Sequence, residues 1–327
     1  MLRAPIGKYN VGIRNIDTDE FGDNEYRRKL SLMFFYPSDE IGEECPYMDA
    51  EYQRNAGNGY YDNGVRTYCY KDVPISNCED KYPVVVYNHG LNGYQMESTV
   101  LCADIASSGY IVISVGHPYG SGAVTYEDGS VLVPNDSFVI ERNNLAPLGT
   151  LWYEDIQYAI KYIGRLNSED VPNRNNWGRR LNLDEGINLL GISFGGCCSV
   201  GTILMENEIR CAINLDGGLF ADISCLYPNK PILVMCSPLN YKAHVRLKEL
   251  GCTNVTVKKI RKLSHWEFSD GVYFSERGKK DRNRADIMSK QRAVLCLEFL
   301  QKNTLSQVNG CLGEALNTCL KEIGAIL

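Results

Sequence analysis

The stretch Leu189-Leu190-Gly191-Ile192-Ser193-Phe194-Gly195-Gly196 decides how this chain is interpreted. An apolar strand pattern ends in a glycine, and a serine follows two residues later, between two glycine positions. This G-x-S-x-G spacing is typical of a nucleophile elbow, in which a strand turns sharply into a helix and exposes the serine hydroxyl. The sequence therefore predicts that Ser193 is a nucleophile, the alternative being a glycine-rich turn with an inactive serine.

The composition of the 327-residue chain narrows its class, with 44% hydrophobic and 23% charged residues, as expected of a globular protein with a substantial core. A net charge of -6 argues against nucleic acid as a partner. The longest basic cluster, Arg277 to Arg284, is interrupted by Gly278 and Asp281 and is predicted to be a solvated loop. No apolar run approaches the roughly 18 to 20 residues of a membrane span. Nothing in the sequence indicates a particular oligomeric state.

Cysteine usage and the amino terminus favour a reducing, cytoplasmic location. The chain has 13 cysteines and no C-x-x-C spacing, which argues against a zinc ribbon or a thioredoxin-like site. Residues 1–7 lack the apolar segment of a signal peptide, although a cleaved signal peptide is compatible with this sequence. Several cysteines fall in apolar patterns typical of buried thiols, namely Cys102, Cys197, Cys198, Cys211, Cys236 and Cys296.

Short β-branched runs alternate with helical patterns, which predicts a mostly parallel central sheet with helices on both faces. The predicted strands are Lys8–Ile13, Arg28–Tyr36, Pro83–Tyr87, Tyr110–Val115, Ile187–Leu190, Cys211–Leu215, Pro231–Cys236 and Val255–Ile260. The predicted helical segments are Met96–Ser107, Leu151–Leu166, Tyr241–Leu250, Met288–Gln301 and an amphipathic tail, Cys311–Leu327. No repeat or linker divides the chain, so we expect a single domain over residues 1–327, with irregular insertions at about 45–80 and 119–149.

A serine hydroxyl needs an adjacent base, and histidine has a suitable pKa. The chain has four histidines. His89 and His117 precede the serine, and His244 falls in a helical pattern. Only His265 follows both the serine and the last predicted strand, at the edge where parallel sheets place their sites. His265 is therefore the predicted base, and His89 is predicted to be a structural residue of its loop.

The acid that orients the histidine is predicted to be Asp216. The loop after Pro231–Cys236, a common position for this acid, contains no carboxylate, whereas Asp216 ends the strand before it. A turn or capping aspartate before two glycines is the alternative interpretation of Asp216. Asp222 and Asp270 are the reserve candidates.

Two backbone amides are predicted to form the oxyanion hole. One is that of Phe194, the residue after the nucleophile, and the other is that of Leu91, in the glycine turn after an early strand. Residues Gly120-Ser121-Gly122 begin a G-x-G pattern, but it fails at Thr125 and no helix is predicted to follow, so no dinucleotide site is expected. Neither a metal motif nor a phosphate-binding G-x-x-x-x-G-K-[ST] loop occurs, and we expect no metal and no cofactor.

Together these motifs resemble the plasma and type II platelet-activating factor acetylhydrolases, which are α/β-hydrolases close to the dienelactone hydrolase branch. The similarity extends over most of residues 5 to about 300. The segments that carry it are Gly191–Gly196, Asn88–Leu91, Leu215-Asp216, Ser264-His265, Pro5–Tyr9, Phe35–Ser38 and Asp104–Val112.

The resemblance implies an α/β-hydrolase fold, the acid at Asp216, oxyanion donors at Leu91 and Phe194, and metal-free hydrolysis of short or oxidised acyl esters, phospholipids among them. Two positions depart from the family pattern. Ile192 stands where the family commonly has histidine, and Gly217-Gly218 replace a bulky apolar stretch. Because both positions are expected near the acyl pocket, the resemblance leaves the substrate open.

The sequence predicts a serine esterase that acts on short-chain or small-molecule carboxylic esters through Ser193, His265 and Asp216. Phospholipid sn-2 acyl esters fall within this class. One alternative is an acyltransferase that passes the acyl group to an alcohol or amine. A second alternative is a hydrolase-fold binding protein with an inactive site, in which an activated-serine probe would fail to react.

Overall fold

A computed structural model describes residues 2–23, 25–47, 65–133, 145–168, 177–218, 230–249 and 253–304. Its main element is a large mixed sheet. The strands are β1 (Asn10–Asp17), β2 (Ser31–Ser38), β3 (Glu44–Pro46), β4 (Arg66–Lys71), β5 (Tyr82–Asn88), β6 (Ile111–Gly116), β7 (Val124–Thr125), β8 (Val131–Leu132), β9 (Leu181–Asn182), β10 (Ile187–Ile192), β11 (Ile209–Leu215), β12 (Ile232–Cys236) and β13 (Val255–Lys259).

The sheet order is β13, β12, β11, β10, β5, β6, β2, β1, β4, β3, with β9 beside β5 and a separate ribbon of β7 and β8. The six strands from β13 to β6 are parallel to their neighbours. Strand β2 is antiparallel to both β6 and β1. The predicted mostly parallel sheet is confirmed.

Helices cover both faces of the sheet. They are α1 (Thr99–Ser107), α2 (Ala146–Asn167), α3 (Ser193–Met205), α4 (Tyr241–Glu249), α5 (Gly271–Phe274), α6 (Glu276–Lys280) and α7 (Arg282–Asn303), together with a 3-10 helix, His265–Phe268. Helices α1 and α7 contribute to the apolar cluster on one face, and α2 and α3 contribute to the cluster on the other.

Strand β5 illustrates why the sheet needs both layers. Val84 and Val86 belong to one apolar cluster and Val85 to the other, and all three are completely buried. Successive side chains of a strand point to opposite faces, so a continuous β-branched run is stable only where both faces are covered. The site-bearing strand β10 lies next to β5 and is buried along its whole length.

Short strands lie within the described parts of both regions that the sequence predicts to be irregular insertions. Strands β3 and β4 lie within residues 45–80 or at their edge, and β4 alternates buried and more exposed residues as an outer strand does. The ribbon of β7 and β8 lies within residues 119–149, and α2 begins there, at Ala146 rather than Leu151. Residues 48–64 and 134–144 lie outside the described ranges.

The basic cluster and the carboxyl-terminal region also differ from prediction. The cluster from Arg277 to Arg284 is not a loop but forms α6 and the first turn of α7, separated by the capping residue Asp281. Helix α7 begins at Arg282 rather than Met288. The predicted tail helix over Cys311–Leu327 lies outside the described residues. Within the described ranges, no helix is long and apolar enough to cross a bilayer.

Candidate active site

Ser193 lies at the turn between β10 and α3. Its backbone φ is 53°, in the left-handed region that residues other than glycine rarely adopt. A Cβ atom on Gly191 would collide with the carbonyl of Gly195, and one on Gly195 would collide with the carbonyl of His89. The close packing explains both glycines, and the strained turn places a half-buried Ser193 at the carboxyl end of the strand.

His265 begins the 3-10 helix in the loop after β13. A capping box fixes this helix, because the Glu267 carboxylate accepts hydrogen bonds from the Ser264 amide and hydroxyl, both at 2.9 Å. Arg284 forms an ion pair with Glu267 at 2.7 Å, and Arg292 donates hydrogen bonds to carbonyls at the end of the same helix. These contacts hold the backbone that carries His265.

Asp216 follows β11 and has a completely buried side chain. Its φ is 55°, so it also lies in the left-handed region. Its Oδ1 accepts the Ser237 backbone N–H at 2.7 Å, and the side-chain amide of Asn240 donates to its carbonyl at 3.1 Å. Ser237 and Asn240 belong to the loop after β12. That loop lacks a carboxylate of its own and holds the carboxylate of the preceding strand.

A continuous hydrogen-bond chain joins the three side chains. His265 Nε2 lies 2.9 Å from Ser193 Oγ, and His265 Nδ1 lies 2.8 Å from Asp216 Oδ2. Burial would raise the pKa of Asp216, but the hydrogen bonds from His265 and Ser237 outweigh it and hold that pKa below its usual value. The hydrogen bond to Asp216 raises the pKa of His265 in turn.

This arrangement is able to activate a hydroxyl. The neutral imidazole of His265 accepts the Ser193 proton, and the buried carboxylate of Asp216 stabilises the imidazolium that forms. The His265 side chain is 50% exposed, so solvent water and a leaving group both have access to it. The structure thus brings together the serine, histidine and aspartate that the sequence selected.

The turn after β5 lies against the nucleophile. A Cβ on Gly90 would lie 3.4 Å from the Ser193 Cβ. The next residue is Leu91, whose amide has no protein acceptor within the described part of the chain. Phe194, the other predicted donor, is the second residue of α3, directly after Ser193. Both predicted donor residues are therefore next to Ser193 in sequence or space.

The other three histidines are buried, and among the described residues their rings form no hydrogen bond with Ser193. His89 Nδ1 lies 2.8 Å from the Gly90 carbonyl oxygen, which can only accept, so Nδ1 carries the proton. Burial lowers the pKa of His89 to about 3, which keeps the ring neutral. His244 is buried in α4, and burial lowers its pKa as well. The expected structural role of His89 fits these contacts.

Among the remaining sequence candidates, Asp270 and Ser121 take no part in the hydrogen-bond chain of Ser193, His265 and Asp216. The carboxylate of Asp270 is completely buried and accepts the Val100 amide at 3.1 Å, and Asp222 lies outside the described residues. In the former G-x-G candidate, Ser121 Oγ lies 2.9 Å from His89 Nε2. No group of three or more potential metal ligands occurs among the described residues.

Gly217 explains one departure from the family pattern. A Cβ at this position would collide with the carbonyl oxygen of Ser193. The backbone after Asp216 therefore passes too close to the nucleophile for any side chain at position 217. Ile192, the other departure, is buried in the apolar cluster that also contains Leu190 and Leu215.

A buried polar network beneath the site was not found from the sequence. Asp155 accepts Arg28 Nε at 2.6 Å and lies 2.9 Å from His117 Nδ1, and all three side chains are almost completely buried. His117 Nε2 lies 3.2 Å from the side-chain amide of Asn88, at the end of β5. The sequence carries one signal of this network, namely the position of Asp155 on the apolar face of a predicted helix.

Comparison with known proteins supports the predicted resemblance. Residues 1–143 match the sequence profile of the family described as "Platelet-activating factor acetylhydrolase, isoform II". The chain is 25% identical to the platelet-activating factor acetylhydrolase of Gallus gallus over 358 aligned positions, which cover 92% of this chain and 83% of that protein. The resemblance to the platelet-activating factor acetylhydrolases is confirmed.

Solved structures share the fold. A ferulic acid esterase from Streptomyces cinnamoneus superposes with a TM-score of 0.73 at 20% identity, over 96% of this chain and 97% of that one. A putative dienelactone hydrolase from Klebsiella pneumoniae superposes with a TM-score of 0.50 at 11% identity, over 88% and 99%. The protein is a hydrolase with the α/β-hydrolase fold. Its relatives by sequence and structure include acetylhydrolases and esterases, which supports ester hydrolysis as its chemistry.

Proposed function

We propose that this protein is a serine esterase that hydrolyses short-chain or small-molecule carboxylic esters through an acyl-enzyme. The observation that carries the proposal is the chain from Ser193 Oγ through His265 to the buried Asp216, at 2.9 and 2.8 Å. Its serine has the left-handed backbone of a nucleophile elbow.

In the acylation step, Ser193 Oγ attacks the ester carbonyl carbon while His265 Nε2 takes the hydroxyl proton. Asp216 holds His265 in the required tautomer and stabilises the imidazolium. The amides of Leu91 and Phe194 donate to the carbonyl oxygen as it becomes negative. His265 then protonates the departing alcohol, and the acyl group stays on Ser193.

In the deacylation step, water enters beside His265, which is half exposed. His265 takes a proton from the water, the resulting hydroxide attacks the acyl carbonyl, and Ser193 leaves with the proton that His265 returns. The carboxylic acid product and the free enzyme result. Every proton that is moved is held by His265, so the reaction requires neither a metal nor a cofactor.

The names of related proteins support a carboxylic ester as the substrate. The Gallus gallus relative is named for platelet-activating factor acetylhydrolysis, and the Streptomyces structure for a ferulic acid esterase. The shared feature of those names is a carboxylic ester. We therefore extend the proposal to esters with a short acyl group, including an sn-2 acyl ester of a phospholipid.

A panel of p-nitrophenyl esters graded by acyl length tests this proposal, together with a phospholipid that carries a short sn-2 chain. The expected result is hydrolysis that declines as the acyl chain lengthens, and loss of hydrolysis in Ser193→Ala. Ser199→Ala, a second serine on the same helix whose hydroxyl is buried, is the control. Activity of Ser193→Ala close to that of the wild type would overturn the proposal.

A further inference from the structure

Glu97 is a buried carboxylate that links the two loops on either side of the nucleophile. It is 8% exposed and lies just before α1. Its Oε1 accepts the Gly90 backbone N–H at 2.6 Å, and its backbone carbonyl accepts the N–H of Asp270 at 2.9 Å. Gly90 belongs to the turn that carries Leu91, and Asp270 belongs to the segment that follows His265.

Hydrogen bonds restrain the backbone of the turn from residue 90 to residue 93. The amide of Gly90 donates to Glu97, that of Asn92 to the Gly120 carbonyl at 2.6 Å, and that of Gly93 to the Gly90 carbonyl at 2.9 Å. The Leu91 amide is the exception, because no acceptor for it lies within the described ranges. The turn therefore presents a single uncommitted N–H beside Ser193.

The direction of the Leu91 N–H follows from the peptide that contains it. In a trans peptide the C=O and N–H bonds point in opposite directions, and no cis peptide bond occurs among the described residues. The Gly90 carbonyl oxygen is held by the Gly93 amide and by His89 Nδ1, at 2.9 and 2.8 Å. Glu97 holds the preceding peptide through the Gly90 amide, so two successive peptides are fixed.

We propose that Glu97 is a positioning residue that anchors the turn at Gly90 so that the Leu91 N–H is aligned with the developing oxyanion. This inference rests on the proposed esterase function. A charge-assisted hydrogen bond from a backbone N–H to a carboxylate is stronger than one to a neutral acceptor. Loss of that anchor leaves the substrate contacts in place but misplaces one transition-state donor.

The charge of Glu97 adds a second effect that a purely structural residue would not have. Burial raises the pKa of Glu97 to about 7, while the bonds from Gly90 and Tyr87 act in the opposite direction. When it is ionised, its charge favours the imidazolium of His265 and raises the pKa of the base. The titratable and charged groups that act on Glu97 or its partners are Arg3, Tyr87, Cys102, Asp104, His265, Asp270 and Arg292.

Three variants test the inference on a soluble p-nitrophenyl ester. Glu97→Ala removes the anchor, and Glu97→Gln keeps an oxygen acceptor without the charge. Tyr87→Phe is the matched control, because it removes another hydrogen bond to the same Glu97 oxygen, at 3.2 Å, and leaves the Gly90 contact in place. Thermal unfolding is recorded for each variant so that kinetics are compared on folded protein.

In Glu97→Ala we expect kcat to fall by about 10- to 100-fold with little change in KM, because a donor that acts in the transition state is misplaced. In Glu97→Gln we expect kcat at pH 9 to stay within about threefold of the wild type, since the acceptor remains. Its acid limb of kcat/KM is expected to move to lower pH, because the charge that favours the His265 imidazolium is gone.

Wild-type kcat in Glu97→Ala would overturn the inference, as would an equal loss in Tyr87→Phe. An unchanged acid limb in Glu97→Gln would contradict the electrostatic part. Ser193→Ala is measured with these variants, so that a failure of the Glu97 inference is distinguished from a failure of the proposed esterase function. If Ser193→Ala is inactive and Glu97→Ala matches the wild type, only the role of Glu97 is wrong.

Discussion

Two histidine–carboxylate pairs of nearly equal length lie within the described residues, and they differ in what surrounds them. His265 Nδ1 lies 2.8 Å from Asp216 Oδ2, and His117 Nδ1 lies 2.9 Å from Asp155 Oδ2. Both aspartates are buried. The His265 side chain is 50% exposed, whereas that of His117 is completely buried.

The third partner separates the two pairs further. His265 Nε2 faces the Ser193 hydroxyl, which donates to it, whereas His117 Nε2 faces the side-chain amide of Asn88. Asp155 also forms an ion pair with Arg28, whose Nε lies 2.6 Å from Asp155 Oδ1. The first imidazole is therefore placed to exchange a proton, and the second cross-links strands and helix beneath the site.

The pKa values of the two histidines are displaced in opposite directions. The hydrogen bond to Asp216 raises the pKa of His265. Burial lowers the pKa of His117 and outweighs the opposing effect of the hydrogen bond that its ring donates to Asp155. The histidine of a His–Asp pair thus acts as a base or as a structural contact, depending on its burial and on the group beside its second ring nitrogen.

The largest expected difference between the pairs is in catalysis. His265→Ala should lower kcat by about 10⁴- to 10⁶-fold, because the serine loses its base. Its thermal stability should change little, since half of the side chain is already exposed. Ester hydrolysis and calorimetry measure the two effects. A residual kcat within about 100-fold of the wild type would show that His265 is not the base.

The next effect concerns the acid of the exposed pair. Asp216→Asn should lower kcat by about 10⁴-fold, since an amide neither selects the correct tautomer of His265 nor stabilises its charge. Steady-state kinetics at pH 8 provide the measurement. The reserve candidate Asp270→Asn is the comparison, and a larger loss of kcat there would transfer the role of the acid to Asp270.

The buried pair should instead determine stability. His117→Ala removes the ring that packs on Trp152 and leaves Asp155 and Arg28 buried without their histidine partner. This change should lower the free energy of unfolding by about 3 to 5 kcal/mol. Glu154→Gln is the matched control, because Glu154 pairs with the same Arg28 at 3.2 Å but is half exposed, so about 1 kcal/mol or less is expected. Urea unfolding measures the free energy of unfolding of both variants, and equal losses would contradict the stabilising role of the buried pair.

The smallest effect is in titration. A neutral His265 is required as the base, and its pKa is raised above the ordinary value, so kcat/KM should fall as pH decreases through a midpoint above about 6.5. His117 should remain neutral at that pH because its pKa is lowered. NMR titration of the histidine rings, together with the pH–rate profile, measures the protonation of both His265 and His117. A midpoint well below 6 would be inconsistent with the Asp216 contact.

Much of the candidate site was predictable because its signals are local. The glycines around Ser193 reflect backbone contacts within the elbow and with the neighbouring β5. Asp216 and His265 were predicted from the chain order serine, aspartate, histidine and from their positions at the ends of strands. Parallel strands bring those ends to one edge of a sheet, so correct strands were sufficient to bring the residues together.

The remaining features depend on contacts between distant parts of the chain. Arg28 and Asp155 are separated by 127 residues, and no local pattern pairs them. Glu97 lies in a turn where an acidic residue would ordinarily be solvated. The early start of α2 had a local signal, the proline in its first turn, but the apolar spacing typical of a helix begins only at Leu151.

The central claim is that Ser193 is activated by His265, and covalent labelling tests it directly. A fluorophosphonate reacts with an activated serine and is retained as a mass increase on the peptide that contains it. We predict labelling at Ser193 in the wild type, strongly slowed labelling in His265→Ala and no labelling at that peptide in Ser193→Ala. An unlabelled wild-type protein, or a label on another residue, would contradict the claim.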